Sequence, residues 1–166
     1  MSIKVYGILI LSDSALRLEK QIEISFLAVE FATKNKIGIK LGGNVHRECL
    51  EKFQNVLNKL PFELTDDPMD VNAQCLFGGD GIEIQVAGKR IDSGESLLNR
   101  MSRVQSFFKE LLKYNGIDRI ILDVNIEDGD EFKTVEIHAN DFSTKIIQLY
   151  EQEGNWTPTV RIVITY

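Results

Sequence analysis

Ile3-Lys4-Val5-Tyr6-Gly7-Ile8-Leu9-Ile10-Leu11 is dense in apolar and β-branched residues and is closed by Ser12-Asp13-Ser14. That is the pattern of a central strand buried on both faces. The same residues behind Lys4 have the outline of a secretory h-region, but the run is too short, and Ser12-Asp13-Ser14-Ala15 is a poor cleavage site. A buried strand is the better reading.

Outward from this strand, residues 16–33 admit two periods. Leu16, Leu18, Ile22, Ile24, Phe26 and Ala28 alternate with Arg17, Glu19, Gln21, Glu23 and Ser25, a period of two broken at Lys20. The helical set Leu18, Ile22, Phe26 and Val29 leaves Ile24, Leu27 and Phe31 on other faces. The alternation predicts a long strand here. Lys34-Asn35-Lys36 then turns the chain into a short strand over 37–41, ended by Gly42-Gly43. Asn44 caps a predicted helix over 45–59 with the stripe Val45, Cys49, Phe53, Val56 and Leu60, and Pro61 stops it. Residues 63–70, with Thr65-Asp66-Asp67-Pro68, read as an exposed acidic loop. Two short strands, 73–77 and 82–86, are joined by Gly78-Gly79-Asp80-Gly81 as a hairpin.

The clearest helix spans 95–113. Leu97, Met101, Val104, Phe108 and Leu111 step by four, three, four and three, Ser93 stands before them as a cap, and Asn115-Gly116 supplies the stop. Ile120, Leu122, Val124 and Ile126 alternate with Ile121, Asp123, Asn125 and Glu127, which predicts a strand with one core face. Asp128-Gly129-Asp130 turns it into a second strand over 133–138, making a hairpin. Asn140 or Asp141 caps a helix with inward Phe142, Ile146, Leu149 and Tyr150. A last strand presents Val160, Ile162, Ile164 and Tyr166 on one face. These elements, without linker or internal repeat, make 1–166 a single α+β domain: a mainly antiparallel or mixed β-sheet with about three helices packed on it.

Apolar residues at 43% and charged residues at 27% describe a soluble globular chain. No stretch approaches the ~20 apolar residues of a membrane span. Cys49 and Cys75, far apart in apolar surroundings, read as reduced core thiols of a cytoplasmic protein. The net charge of −6 is unevenly placed. From Tyr114 onward four basic residues (Arg119, Lys133, Lys145 and Arg161) face ten acidic ones, and the preceding part of the chain is balanced. Such a surplus repels nucleic-acid phosphates and attracts basic partners. The expectation is a basic protein partner, with no nucleic acid and no membrane.

Sequence motifs for chemistry are sparse. Asp128-Gly129-Asp130-Glu131-Phe132 resembles the Gly-Gly-Asp-Glu-Phe signature of diguanylate cyclases, but Asp128 replaces the first glycine and no upstream Asp-x-Asp-x-Phe-Lys pattern accompanies it. It reads as turn chemistry. Gly78-Gly79-Asp80-Gly81 lacks the lysine and following helix of a phosphate loop. His46 and Cys49 have helical spacing, but zinc requires three or four ligands and no second pair is spaced to supply them. No metal and no cofactor is expected. One face of the predicted 120–138 hairpin gathers Asp123, Glu127, Thr134, Glu136 and His138, an arrangement open to acid–base or metal chemistry, though without a nucleophile.

In its profile across the whole chain (small, acidic, α+β, without a catalytic motif) the protein resembles the immunity proteins of bacterial contact-dependent inhibition and related polymorphic toxin systems. The resemblance implies a non-catalytic binding protein that neutralises a cognate toxin domain, such as a nuclease. Its carboxylates would engage the lysines and arginines that the toxin uses on phosphates. The candidate partner-binding residues are Asp123, Glu127, Asp128, Asp130, Glu131 and Glu136, with Asp66, Asp67 and Asp70 as a second patch. The alternatives are a small enzyme or ligand-binding domain using the face around His138, or an oligomerisation module that pairs through the C-terminal strand.

Overall fold

The computed structural model describes residues 5–41, 59–65, 74–78, 81–85, 96–124, 131–153 and 160–166. The described strands are β1 (Val5–Leu11), β2 (Gly38–Leu41), β3 (Lys59–Thr65), β4 (Gln74–Gly78), β5 (Gly81–Gln85), β6 (Ile117–Val124), β7 (Lys133–His138) and β8 (Val160–Thr165). They form one sheet in the order β4-β5-β2-β3-β1-β6-β8-β7. The described helices are α1 (Leu18–Lys34), α2 (Leu97–Lys113) and α3 (Phe142–Glu153). All neighbouring strands are antiparallel except β7 and β8, which run parallel. The fold is therefore α+β with a mixed sheet. No described helix is long and apolar enough to cross a membrane.

β1 occupies the interior position that its composition demands, between β3 and β6. Leu9 and Leu11 are buried in the core shared with the helices, and Ile8 and Ile10 on the opposite face are buried as well. On the helix-side face the core runs from Ile39, Leu60, Phe62 and Leu64 through Leu9 to Ile120, Leu122, Ile162 and Ile164. Ala28, Phe107, Phe108, Phe142 and Ile146 close over it from the three helices. Phe108 sits at the junction: its ring meets Phe62 edge-on at 6.4 Å and Phe142 at 5.0 Å and 90°. Such edge-to-face contacts direct the positive ring edge at the negative face of the neighbour.

Residues 18–34 form a helix, correcting the strand predicted over 16–33. Ile24, Ala28 and Ala32 are fully buried at intervals of four, and Phe26, apolar in the two-residue alternation, is 51% exposed. The alternation misleads because the inward residues Ile24 and Ala28 fit a step of two as well as a step of four, and the remaining inward positions, Ser25 and Ala32, add little hydropathy to the helical face. Ser25 is also buried, its hydroxyl donating to the Gln21 carbonyl at 2.8 Å. At the far end Lys36 adopts φ 56°, the left-handed conformation that ends a helix, and Arg103 Nη1 donates to the Asn35 and Lys36 carbonyls at 3.1 and 2.6 Å.

Three further expectations are corrected. Residues 63–65 belong to β3, paired with both β1 and β2, instead of opening an acidic loop. Pro61, the predicted helix stop, lies in this strand beyond the residues paired with β2. The 120–138 hairpin does not form: β8 inserts between β6 and β7, joined to the first antiparallel and to the second parallel. The C-terminal strand is thus interior, which removes the edge proposed for oligomerisation; among the described strands the outermost are β4 and β7. The cap of α2 is Ser96, whose hydroxyl accepts from the Asn99 N–H, and not Ser93, which lies outside the described residues. Of the helix expected over 45–59, Lys59 and the stripe residue Leu60 belong to β3 instead, and residues 45–58, His46 and Cys49 among them, lie outside the described residues. The β4–β5 pairing, with Gly78 opposite Gly81, agrees with the expected hairpin.

At Gly7 an added Cβ would collide with Cζ of the buried Phe62 ring. Gly7→Ala should therefore cost about 1–3 kcal/mol through overpacking. Phe62→Leu in the same chain should recover part of that loss, so urea denaturation of the two single variants and the double variant should give a non-additive cycle. Additive costs would mean that the ring moves aside freely.

Candidate functional site

The alternation of β6 turns Ile120 and Leu122 inward and Asp123 to the face away from the helices, and β8 brings Arg161 directly opposite it. The pair is bidentate: Nε reaches Oδ1 at 2.7 Å and Nη2 reaches Oδ2 at 2.9 Å. The Phe132 ring lies against the guanidinium, 4.5 Å from Cζ to the centroid. Hydrogen bonding to Asp123 raises the Arg161 pKa further above its ordinary value, against the opposing effect of burial. Planar guanidinium, matched carboxylate and stacked ring fix the pair as a unit. Asp123, predicted as a free partner-binding carboxylate, is therefore already neutralised.

Continuing from β8 to β7, Arg161 faces Thr134, Val163 faces Glu136, and Thr165 faces His138. Thr134, Glu136, His138 and Thr165 are exposed, as is Glu131 just before the strand. Of the nine predicted partner-binding residues, Glu131 and Glu136 stand exposed at β7, and Asp123 is committed to Arg161. Glu127, Asp128, Asp130, Asp66, Asp67 and Asp70 lie outside the described residues. The side chain of Lys133, at the start of β7, is exposed too. Beyond the strand, Asp141 is exposed in the short 3₁₀ turn Ala139–Asp141 that leads into α3.

Of the candidate acid–base group around His138, Thr134, Glu136 and His138 share one face of β7, Glu127 lies outside the described residues, and Asp123 stands apart. Asp123 and β7 are separated by the whole of β8, about 10 Å at the usual strand spacing. His138 has a structural partner instead: its Nδ1 accepts the Asn140 backbone N–H at 3.1 Å, and its ring lies 6.1 Å from that of Tyr166. Among the described residues no three His, Cys, Asp or Glu side chains lie together in a metal-binding group.

A charged cluster that sequence reasoning missed joins α1 to the end of α2. Lys20 Nζ donates to the Tyr114 hydroxyl at 2.6 Å and to Glu23 Oε2 at 3.1 Å, and the Tyr114 hydroxyl donates to Glu23 Oε1. Lys20 also lies 4.7 Å from the Tyr114 ring centroid. The hydrogen bond from Tyr114, then that from Lys20, lowers the Glu23 pKa, and the corresponding bonds to Tyr114 and Glu23 raise that of Lys20. The Lys20–Glu23 spacing carries a signal only on a helix, where residues three apart share a face, so the strand reading concealed it. Lys34 and Asn35 make a parallel tie, meeting Glu110 at 2.8 and 3.4 Å.

No family model, curated protein or solved structure matches this chain.

Because the folded state holds Glu23 below its ordinary 4.5, the stabilisation from this carboxylate is present above that value and is lost as pH falls through the folded pKa. The urea midpoint of the native chain should exceed that of Glu23→Gln near neutral pH, and the gap should close as pH falls below 4.5 and through the folded pKa. Lys20, raised above 10.5, contributes below that value and loses its contribution as pH rises through the folded pKa. A gap between the two proteins that does not change with pH would show that the tie is indifferent to ionisation.

Proposed function

We propose that this chain is a non-catalytic binding protein that neutralises a basic protein partner, in the manner of a bacterial immunity protein masking a toxin domain. The docking surface is the β7 edge with its carboxylates. One observation carries the reading: Glu131 and Glu136 are exposed at the edge of the sheet, and the neighbouring guanidinium of Arg161 is committed to Asp123. The cation best placed on β8 to cancel this edge is thus withdrawn from it. The surplus of acidic over basic residues after Tyr114 adds a long-range attraction for positive partners. Val163 and Ile121, partly buried in the row that ends at Glu136, supply apolar surface beside the charge, the mixture typical of protein interfaces.

A partner that places lysines or arginines against Glu131 and Glu136 has its phosphate-binding cations covered, and inhibition follows without any reaction. Screening sets the range: attraction across the open edge acts within about 8 Å at physiological ionic strength. It therefore governs the association rate more than the lifetime of the complex.

The reading is tested with tagged protein and a basic protein retained from the source cell at low ionic strength. Glu131→Lys with Glu136→Lys should slow association and weaken affinity roughly 10- to 100-fold, or about 1.4–2.7 kcal/mol, and salt should narrow the gap. Equal association rates for the native and doubly reversed chains at low salt would remove the β7 edge from the binding surface.

A further inference from the structure

We infer that the partner is held by strand addition to β7, through an extended segment in which basic residues alternate with β-branched or other apolar ones. This rests on the reading of the chain as a binder of basic proteins and specifies how the binding is made. β7 is the last strand of the sheet; one side is bonded to β8, and among the described strands none pairs with the other. A strand in that position presents alternate backbone N–H and C=O groups outward, ready to pair with an extended chain.

The side chains of β7 determine what such a chain should look like. Thr134, Glu136 and His138 are exposed on the face away from the helices. On the other face Val135 is only partly buried against the core and Ile137 is buried in it. An added strand therefore sets one series of its side chains beside Glu136 and the alternate series beside Val135, because successive residues point to opposite faces. Lysine or arginine suits the first series, since Arg161 offers no free positive charge to compete. A β-branched residue suits the second, where it extends the apolar layer over Val135.

A second copy of the chain fits less well. It brings another net charge of −6. In the two-fold antiparallel register centred on Glu136 it sets two Glu136 carboxylates directly opposite each other, and like charges there are destabilising. Centred on Val135 it sets Glu136 opposite Thr134, where the carboxylate finds no cation among the described residues on that face of β7.

The test uses the full chain and a capped octapeptide of alternating Lys and Val. At low ionic strength the peptide should bind and slow hydrogen exchange of alternate amides within 133–138 at least tenfold. Glu136→Lys, which alters an exposed side chain, should weaken binding at least tenfold. The corresponding Glu–Val peptide, and a Lys peptide of equal charge with proline at the Val positions, should not protect those amides. Binding by the proline peptide as tight as by the Lys–Val peptide, or protection confined to other segments, would overturn strand addition. So would protection of 133–138 that rises with protein concentration without peptide, which would assign the edge to self-pairing. If the basic partner responds to charge reversal yet leaves these amides unprotected, strand addition fails while the binding function stands. If the partner ignores charge reversal, the binding function itself fails.

Discussion

The structure depends on the absence of a side chain at Gly7 of β1, opposite Phe62 of β3. Phe62 fills the space that a side chain at position 7 would occupy, and its buried ring then meets Phe108 of α2. Phe108 in turn meets Phe142 at the start of α3. One missing Cβ in the interior strand thus allows a continuous aromatic contact from sheet to both later helices. Fully burying a side chain of this size is worth about 1.5–3 kcal/mol, so the chain of rings is a large share of a domain's net stability.

That core fixes where the last strand goes. Val160, Ile162 and Ile164 are buried on one face of β8, and a strand with such a face is best placed between neighbours. It enters between β6 and β7, and α3 carries the chain over the helix-side face between the parallel strands β7 and β8. The polar N-terminus of α3 is tied down as well, since the Ser143 N–H and hydroxyl both donate to Gln105 Oε1 of α2 at 2.8 Å. Displacing β7 to the edge is what exposes Glu136 and His138 and separates them from Asp123.

The sequence was most legible where periodicity and burial agree. The two-faced burial of β1, the inward residues Ile120 and Leu122, and the α2 positions Phe108 and Leu111 could all be read from spacing. Reading failed where the deciding information is non-local. Nothing near residues 120–138 reveals that the later strand Val160–Thr165 will enter between them, so the local pattern predicts a hairpin. Glu63 looked like loop because its neighbours are acidic, yet Leu64 between Glu63 and Thr65 is buried in β3. At α1 the error has a different origin: Ile24 and Ala28 fit both periods, and the small buried residues that complete the inward face, Ser25 and Ala32, weigh little in a hydropathy pattern. Of the candidate site, the exposed Glu131 and Glu136 were legible as charges, but the Asp123–Arg161 pair required the register of β8.

That pair shows why a count of charges does not determine a surface. Asp123 and Arg161 contribute zero to the net charge, and a cross-strand ion pair that is partly exposed adds little stability. Its effect is on position. If Arg161 were unpaired it would project from β8 beside Thr134 and within reach of the β7 carboxylates, offsetting them. Bound at both nitrogens by Asp123 and stacked on Phe132, it is held toward β6. Removing Asp123 would therefore subtract a carboxylate from the molecule and also free a guanidinium to turn toward the edge, so one substitution would weaken the negative field there twice. The negative character of β7 follows from this arrangement of the strands as much as from the acidic composition of the last third of the chain.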